Sequence, residues 1–299
     1  MPMNERRAMR LAAAVALAVA GTAAAAMDWP LSPPRLAATF GTFAKGRVIA
    51  GIALSAEDGL VRSAEDGELA FLFDEGGRKG DQPGVLPAPL GSFVVIEHQR
   101  GMAAVYSHLA PGSLSAYLRK PKAGEILGKP GSSGWIEGPG AGFQVLDRQA
   151  GAWVNPLLVL PTLADDKAPV IRSLALSRGD KVYVQGDSTP VPQGTYRVSV
   201  DVADPADSTW TAAPLAPFAI RLSLDGVEAA KYVFDVAKGS GGEIMLFAQS
   251  PVAAGELRTR DGRYSLAERL FTSGRASVEV RVEDAAGNKR SASWTVFVE

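Results

Sequence analysis

Apolar and polar residues alternate at period two in four stretches of the C-terminal part of the chain. They are Tyr196, Val198, Val200 and Val202; Phe218, Ile220, Leu222 and Leu224; Val278, Val280 and Val282; and Trp294, Val296 and Val298. Successive side chains of a strand point to opposite faces, so such runs suit strands with one buried face and do not suit helices. Turn residues separate them at Gln193-Gly194, Asp225-Gly226, Asp261-Gly262 and Gly287-Asn288. Residues 169–299 therefore predict an antiparallel β-sandwich of about seven or eight strands.

Residues 27–161 read as a second β-rich domain with short apolar runs broken about every 8–12 residues, as in a sandwich or barrel. The chain's 32 glycines, 20 prolines and 7% aromatics lean the same way, toward many turns. Residues 93–98 and 102–109 flank Gln99-Arg100-Gly101 and read as a β-hairpin. A two-residue turn at Arg100-Gly101 puts His98 and His108 on opposite faces; a turn one residue longer puts them on the same face. Residues 68–74 read as another strand, followed by a turn at residues 76–81. Seven glycines crowd residues 124–145, which implies tight turns there. A helix is expected only within residues 112–119. Residues 162–168 read as the linker, between Pro161 and Pro169.

Residues 1–26 read as a signal peptide. Arg6, Arg7 and Arg10 are its positive region, residues 11–20 its apolar region, and Ala24-Ala25-Ala26 its cleavage site. The rival reading is an uncleaved anchor, since the apolar stretch reaches the minimum for a span, about 17 residues. Cleavage leaves 28 basic and 31 acidic side chains, and no further stretch long enough to span a membrane. The near-balanced charge gives no argument for nucleic acid. With no cysteine, disulfides, thiolate metal sites and cysteine nucleophiles are excluded.

Only two histidines, His98 and His108, are present, and no His-Glu-x-x-His helix exists. Gly131-Ser132-Ser133-Gly134 lacks the Gly-x-Ser-x-Gly spacing of a nucleophile elbow. Residues 138–142, Gly-Pro-Gly-Ala-Gly, lack the Lys-Ser/Thr of a phosphate loop. No spacing singles out a glycosidase carboxylate pair. Asp284-Ala285-Ala286-Gly287-Asn288 reads as a hairpin turn ahead of a calcium turn, and Tyr183, Trp210 and Phe218 read as sandwich aromatics ahead of sugar-stacking platforms.

An ordered set of short motifs spans residues 40–156: Phe40-Gly41, the segment from Val61 to Gly67, Tyr106-Ser107-His108-Leu109, Gly124 to Gly128, Gly131 to Gly134, Gly138-Pro139, Phe143-Gln144-Val145 and Asn155-Pro156. This set resembles the catalytic domain of lysostaphin-type zinc endopeptidases, the LytM-like peptidoglycan hydrolases. The resemblance implies an all-β chain, with a duplicated-hybrid-motif β-sandwich or barrel followed by an immunoglobulin-like β-sandwich. It also marks departures. The family's His-x-Gly-x-Asp stretch matches residues 49–53, so Ile49 and Ala53 stand where two zinc ligands would. Its His-Leu-His-Phe-Glu stretch matches residues 140–144, so Gly140 replaces a catalytic histidine and Gly142 the third ligand. Ile, Ala and Gly offer no side-chain lone pair to a metal, and without zinc no bound water reaches a pKa near ~7. His108 alone is left, matching an active-site histidine.

The resemblance thus implies no catalytic residues, no cofactor, and a vestigial His108. The implied role is that of ligand-less family members, which act in the bacterial envelope by binding partner cell-wall amidases. The expected binding groove comprises Tyr106, His108, Ser133, Gly140, Gly142 and Gln144, its floor opened by glycine and its backbone groups exposed. The expected partner is peptidoglycan or a cell-wall hydrolase, in the periplasm or outside the cell. Two rivals stand beside this reading. One is an active metalloendopeptidase whose zinc is held by His108, with or without His98, and by carboxylates such as Glu97, Glu137 or Asp147; the other is a purely structural envelope protein.

Overall fold

The computed structural model describes residues 27–44, 46–77, 88–115, 117–136, 138–185, 190–205 and 214–299. The signal-peptide reading, most of the residue 76–81 turn, Glu137 and Trp210 lie outside these residues. Every element longer than a single 3-10 turn among them is a strand, so the chain is all-β. No helix among the described residues is long and apolar enough to cross a membrane.

The chain forms two compact units. The first contains residues up to Thr162 together with Val236–Lys238; the second contains Leu163–Pro205, Leu215–Asp235 and Gly239–Glu299.

The first unit holds β1 (Leu36–Ala38), β2 (Phe43–Ala44), β3 (Arg47–Val48), β4 (Ile52–Ser55), β5 (Val61–Arg62), β6 (Gly67–Phe73), β7 (Ser92–His98), β8 (Met102–Leu109), β9 (Ile126–Gly128), β10 (Gly140–Asp147) and β11 (Ala152–Val154). Its main sheet runs β11-β10-β8-β7-β6, and β4 joins the same edge of β10 beyond the end of β11 while β1 joins β4. The central strand shows the logic. Ala141, Phe143 and Val145 of β10 are fully buried and face the core with Ile52, Leu54, Val94, Ile96, Tyr106 and Leu109. Each large side chain among these contributes about 1.5–3 kcal/mol by leaving water. The alternate residues, Gly140, Gly142 and Gln144, face the other side, because the pleat has period two. That second side carries the candidate site.

The expected hairpin is present, and its turn is the longer of the two alternatives. Gln99–Gly101 form a three-residue turn with Arg100 at φ 61 and Gly101 at φ 74. Glu97 therefore faces Ala103 and Ile96 faces Ala104. Among the described residues of 112–119 no helix forms; they are a succession of turns and bends, and Gly112 at φ 75 breaks any helical run at its start.

The second unit holds β12 (Val170–Arg178), β13 (Lys181–Val184), β14 (Gly194–Ala203), β15 (Ala219–Leu224), β16 (Val227–Val233), β18 (Glu243–Leu246), β19 (Val252–Ala253), β20 (Tyr264–Phe271), β21 (Gly274–Glu283) and β22 (Lys289–Val298), and the division runs through β17 (Val236–Ser240). Two four-stranded antiparallel sheets, β13-β12-β14-β20 and β16-β15-β21-β22, make most of it. Most of the period-two residues point inward as expected: Tyr196, Val198, Val200, Ile220, Leu222, Val278, Val280 and Val282 are all essentially inaccessible, while Phe218, Leu224 and Trp294 are half-buried. The Tyr232 hydroxyl on β16 donates to the Leu266 carbonyl on β20 at 2.6 Å, tying one sheet to the other.

Candidate functional site

The site lies where β4, β10 and β8 run side by side. Gly142 of β10 faces Ala53 on β4 and Ser107 on β8. Two of the positions that match family ligands, Ala53 and Gly142, are therefore direct cross-strand neighbours, whose Cβ positions in such a pair lie about 5 Å apart. Ile49 precedes β4, and its amide donates to the Thr42 carbonyl at 2.9 Å.

His108 reaches this face by a bulge. Ser107 already points to the site side, so the next residue of a regular strand would point into the core. The ladder instead skips between Val94, opposite Tyr106, and Ser92, opposite Leu109. His108 takes φ +62 inside that irregularity. A bulge re-aims a side chain in this way, at a backbone cost of about 1–2 kcal/mol for a residue other than glycine. The strain is offset by two contacts: the His108 amide donates to the Leu90 carbonyl at 2.8 Å, and Nδ1 lies 2.9 Å from the Ser133 carbonyl. A carbonyl only accepts, so Nδ1 carries the proton and Nε2 presents a lone pair. Nε2 makes no hydrogen bond among the described residues.

Burial lowers the His108 pKa below its ordinary 6.5, and the Arg47 charge adds to the effect, while the bond to Ser133 opposes it. The imidazole is therefore neutral at pH 7. An unfolded chain binds this proton more readily than the folded one. The resulting stability is present in full above pH 6.5 and is lost as pH falls toward the lower folded value. His108→Asn, which tolerates positive φ and can still donate to Ser133, removes the titration. Denaturant unfolding at pH 7, 6 and 5 should show the natural chain losing stability relative to this variant, by at most about 1.4 kcal/mol per pH unit. Parallel curves would refute the neutral, buried imidazole.

Ser133 acts as a bracket. Its hydroxyl donates to the Leu109 carbonyl at 2.7 Å and accepts from the Ser92 amide at 2.9 Å. Gln144 donates through Nε2 to the Ala50 carbonyl at 3.2 Å, holding the segment that leads into β4. Tyr106 is not on the groove surface. It is fully buried, its ring is 5.2 Å from that of Phe143, and its hydroxyl accepts from the Ala64 amide at 2.9 Å. Burial pushes its phenol pKa up, so it supports the site from the core.

The expectation of an open floor needs correction. Gly140 and Gly142 are buried, and the backbone around them is already bonded to β4 on one side and to Gly131 or β8 on the other. A Cβ at Gly142 would sit 2.3 Å from Ser107 Oγ and 3.0 Å from His108 Cδ2. A Cβ at Gly140 would sit 2.2 Å from the Leu54 carbonyl oxygen. Glycine here admits close packing of neighbours and leaves no vacant trough for an added strand.

The residues present do not fit zinc. Around His108 the positions of interest carry Ile49, Ala53 and Gly142, and one imidazole nitrogen is taken by Ser133. His98 cannot help. It faces Gly67 at the far end of the hairpin, about 20 Å along β8 from His108. There its Nδ1 is 3.0 Å from the Asp66 carbonyl. Glu97 pairs with Arg148 at 2.8 Å, and Asp147 accepts from the Gln149 and Ala150 amides, both at that same far end. Among the described residues, the one group of three side chains spaced to share a cation is Asp165, Asp204 and Asp284 in the second unit. Asp284 there accepts from the backbone and side-chain amides of Asn288, closing the β21–β22 turn.

Sequence reasoning missed two residues: Arg47, whose charge acts on His108, and Trp135, two positions after the Ser133 that holds the imidazole. Arg47, on β3, lies over the Trp135 ring at 4.6 Å from its centroid. Trp135 is 43% exposed. They are 88 positions apart in the sequence, and the available signal was a tryptophan directly after the Gly131 to Gly134 turn.

A family model without a descriptive name matches residues 168–299. No curated protein matches the chain. Similar solved structures include a mutant catalytic domain of the prophage-encoded M23 protein EnpA from Enterococcus faecalis, 26% identical over 42% of this chain and 90% of that one, with a TM-score of 0.34. The SpoIIQ–SpoIIIAH pore-forming complex is 21% identical over 45% of this chain and 90% of the other, with a TM-score of 0.36. A putative M23 peptidase from Pseudomonas aeruginosa is 19% identical over 52% of this chain and 60% of its own, with a TM-score of 0.34.

Proposed function

We propose that this chain is an exported, catalytically inactive LytM-like protein that binds peptidoglycan or a partner cell-wall hydrolase and thereby regulates envelope remodelling. The observation that supports it is the packing at Gly142. The third ligand position has no room for a side chain, because Ser107 and His108 fill it. A site that had merely lost its histidine would leave a cavity there. Here the strand bulge, the Ser133 bracket and the His108 ring stay in place without a metal donor set. The second unit serves as an immunoglobulin-like spacer or binding module, and the protein works in the periplasm or outside the cell.

Purified residues 27–299, dialysed against trace zinc, should hold well under one zinc per chain. Incubated with isolated peptidoglycan sacculi, they should pellet with the wall and release no soluble fragments, or else co-purify with a wall hydrolase and raise its activity. Fragment release that a chelator abolishes would overturn the reading in favour of an active metalloendopeptidase. Absence of both wall and hydrolase binding would leave the purely structural role.

A further inference from the structure

We propose that Arg47, Trp135 and His108 form a subsite for the C-terminal residue of a short peptide with a free carboxylate. The inference rests on the binding role proposed above and adds the chemistry of what is bound. The Arg47 side chain makes no hydrogen bond or ion pair among the described residues, and it lies over the face of Trp135. A stacked guanidinium is held flat, and its edge N–H groups remain free to grip a carboxylate with two parallel bonds. His108 supplies the opposite function, a neutral imidazole whose Nε2 lone pair accepts an N–H. Trp135, 43% exposed, supplies an apolar wall.

A cationic fork, an N–H acceptor and an apolar wall match three features of a peptide's last residue: its carboxylate, its amide N–H and its side chain. Inorganic phosphate has the charge but little to donate, and its oxygens would meet the lone pair of Nε2. A long basic groove is not needed, since one carboxylate is matched by one guanidinium. The closeness of Gly142 to the imidazole keeps that ring in place from below.

The test is calorimetric titration of residues 27–299 with N-acetyl-Ala-Ala, in its L,L and D,D forms, against the corresponding C-terminal amide and inorganic phosphate. The free acid should bind about 10-fold or more tightly than the amide or phosphate. Arg47→Gln should abolish that preference, and Trp135→Ala should weaken the acid several-fold. Both side chains are exposed, so unchanged melting temperatures will show that these variants fold. Equal binding of acid and amide, binding indifferent to Arg47→Gln, or no binding of the acid would each overturn the subsite. Wall pelleting or hydrolase activation that survives Arg47→Gln would remove the subsite and leave the proposed function standing; loss of both in the natural chain would remove the function itself.

Discussion

A chain carrying Ile49→His, Ala53→Asp and Gly142→His binds no stoichiometric zinc and melts about 10 °C lower than the natural protein. The three changes rebuild the family's donor set on paper. In the fold Ala53 and Gly142 are cross-strand neighbours, but the third position has no room for its ligand. Ala53 is half-buried on β4 and accepts a carboxylate at modest cost. Gly142 does not accept an imidazole. Its Cβ would overlap Ser107 Oγ at 2.3 Å and press on the His108 ring at 3.0 Å. Ser107 is 2% exposed, so its hydroxyl has little space into which to turn. Overpacking of this kind costs about 3 kcal/mol, roughly 10 °C for a unit of this size. Adding Ser107→Gly relieves the first contact and should recover part of both stability and zinc affinity. Elemental analysis after dialysis and thermal melts read both effects. One tightly held zinc in the triple variant without Ser107→Gly would show that packing does not exclude the metal.

The strands were legible because burial and periodicity coincide in them. Val278, Val280 and Val282 alternate with charged residues, and all three are fully buried. The hairpin arms were legible for the same reason. Its register was not, because it depends on Arg100 entering the left-handed region. Arginine carries no signal for that conformation, as Gly or Asn would. The second irregularity, at Ser107 and His108, is still less visible. A histidine following a buried strand serine reads as the next residue of the ladder. Only the contacts to Leu90 and Ser133, far along the chain, turn it back to the site face.

The candidate site was legible in its negative half. That Ile49, Ala53 and Gly142 cannot ligate a metal follows from their side chains alone. What replaced the ligands was not legible. The glycines read as open floor, because a sequence does not state how closely neighbours approach. Tyr106 read as a groove residue, because its place in a motif does not reveal which face it takes; its pairing with Phe143 settles that it faces the core. Arg47 and Trp135 meet only through tertiary folding.

Gly131→Ala and Gly140→Ala each lower the stability of the first unit by about 3 kcal/mol and weaken ligand binding with it. These glycines face one another in a two-residue bridge, each amide donating to the other's carbonyl at 2.8 Å. A Cβ at Gly140 would stand 2.2 Å from the Leu54 carbonyl oxygen, and one at Gly131 would stand 2.4 Å from the Ala110 nitrogen and 2.6 Å from its Cα. These neighbours are backbone. Leu54 sits in the β4–β10 ladder, and the Ala110 amide donates to Lys129 at 2.9 Å. A side chain could rotate aside, but here a strand has to move. Movement of β10 carries Gly142 away from His108, and movement of Gly131 drags the Ser133 bracket that holds the imidazole. Gly239→Ala, with open space around its Cβ and no positive φ, should be nearly neutral and serves as the control. Urea unfolding of all three variants, alongside pelleting with sacculi, measures both consequences. A loss below about 1 kcal/mol at Gly140 would mean that the strand shifts freely. The tight glycine bridge would then not be what keeps His108, Arg47 and Trp135 together.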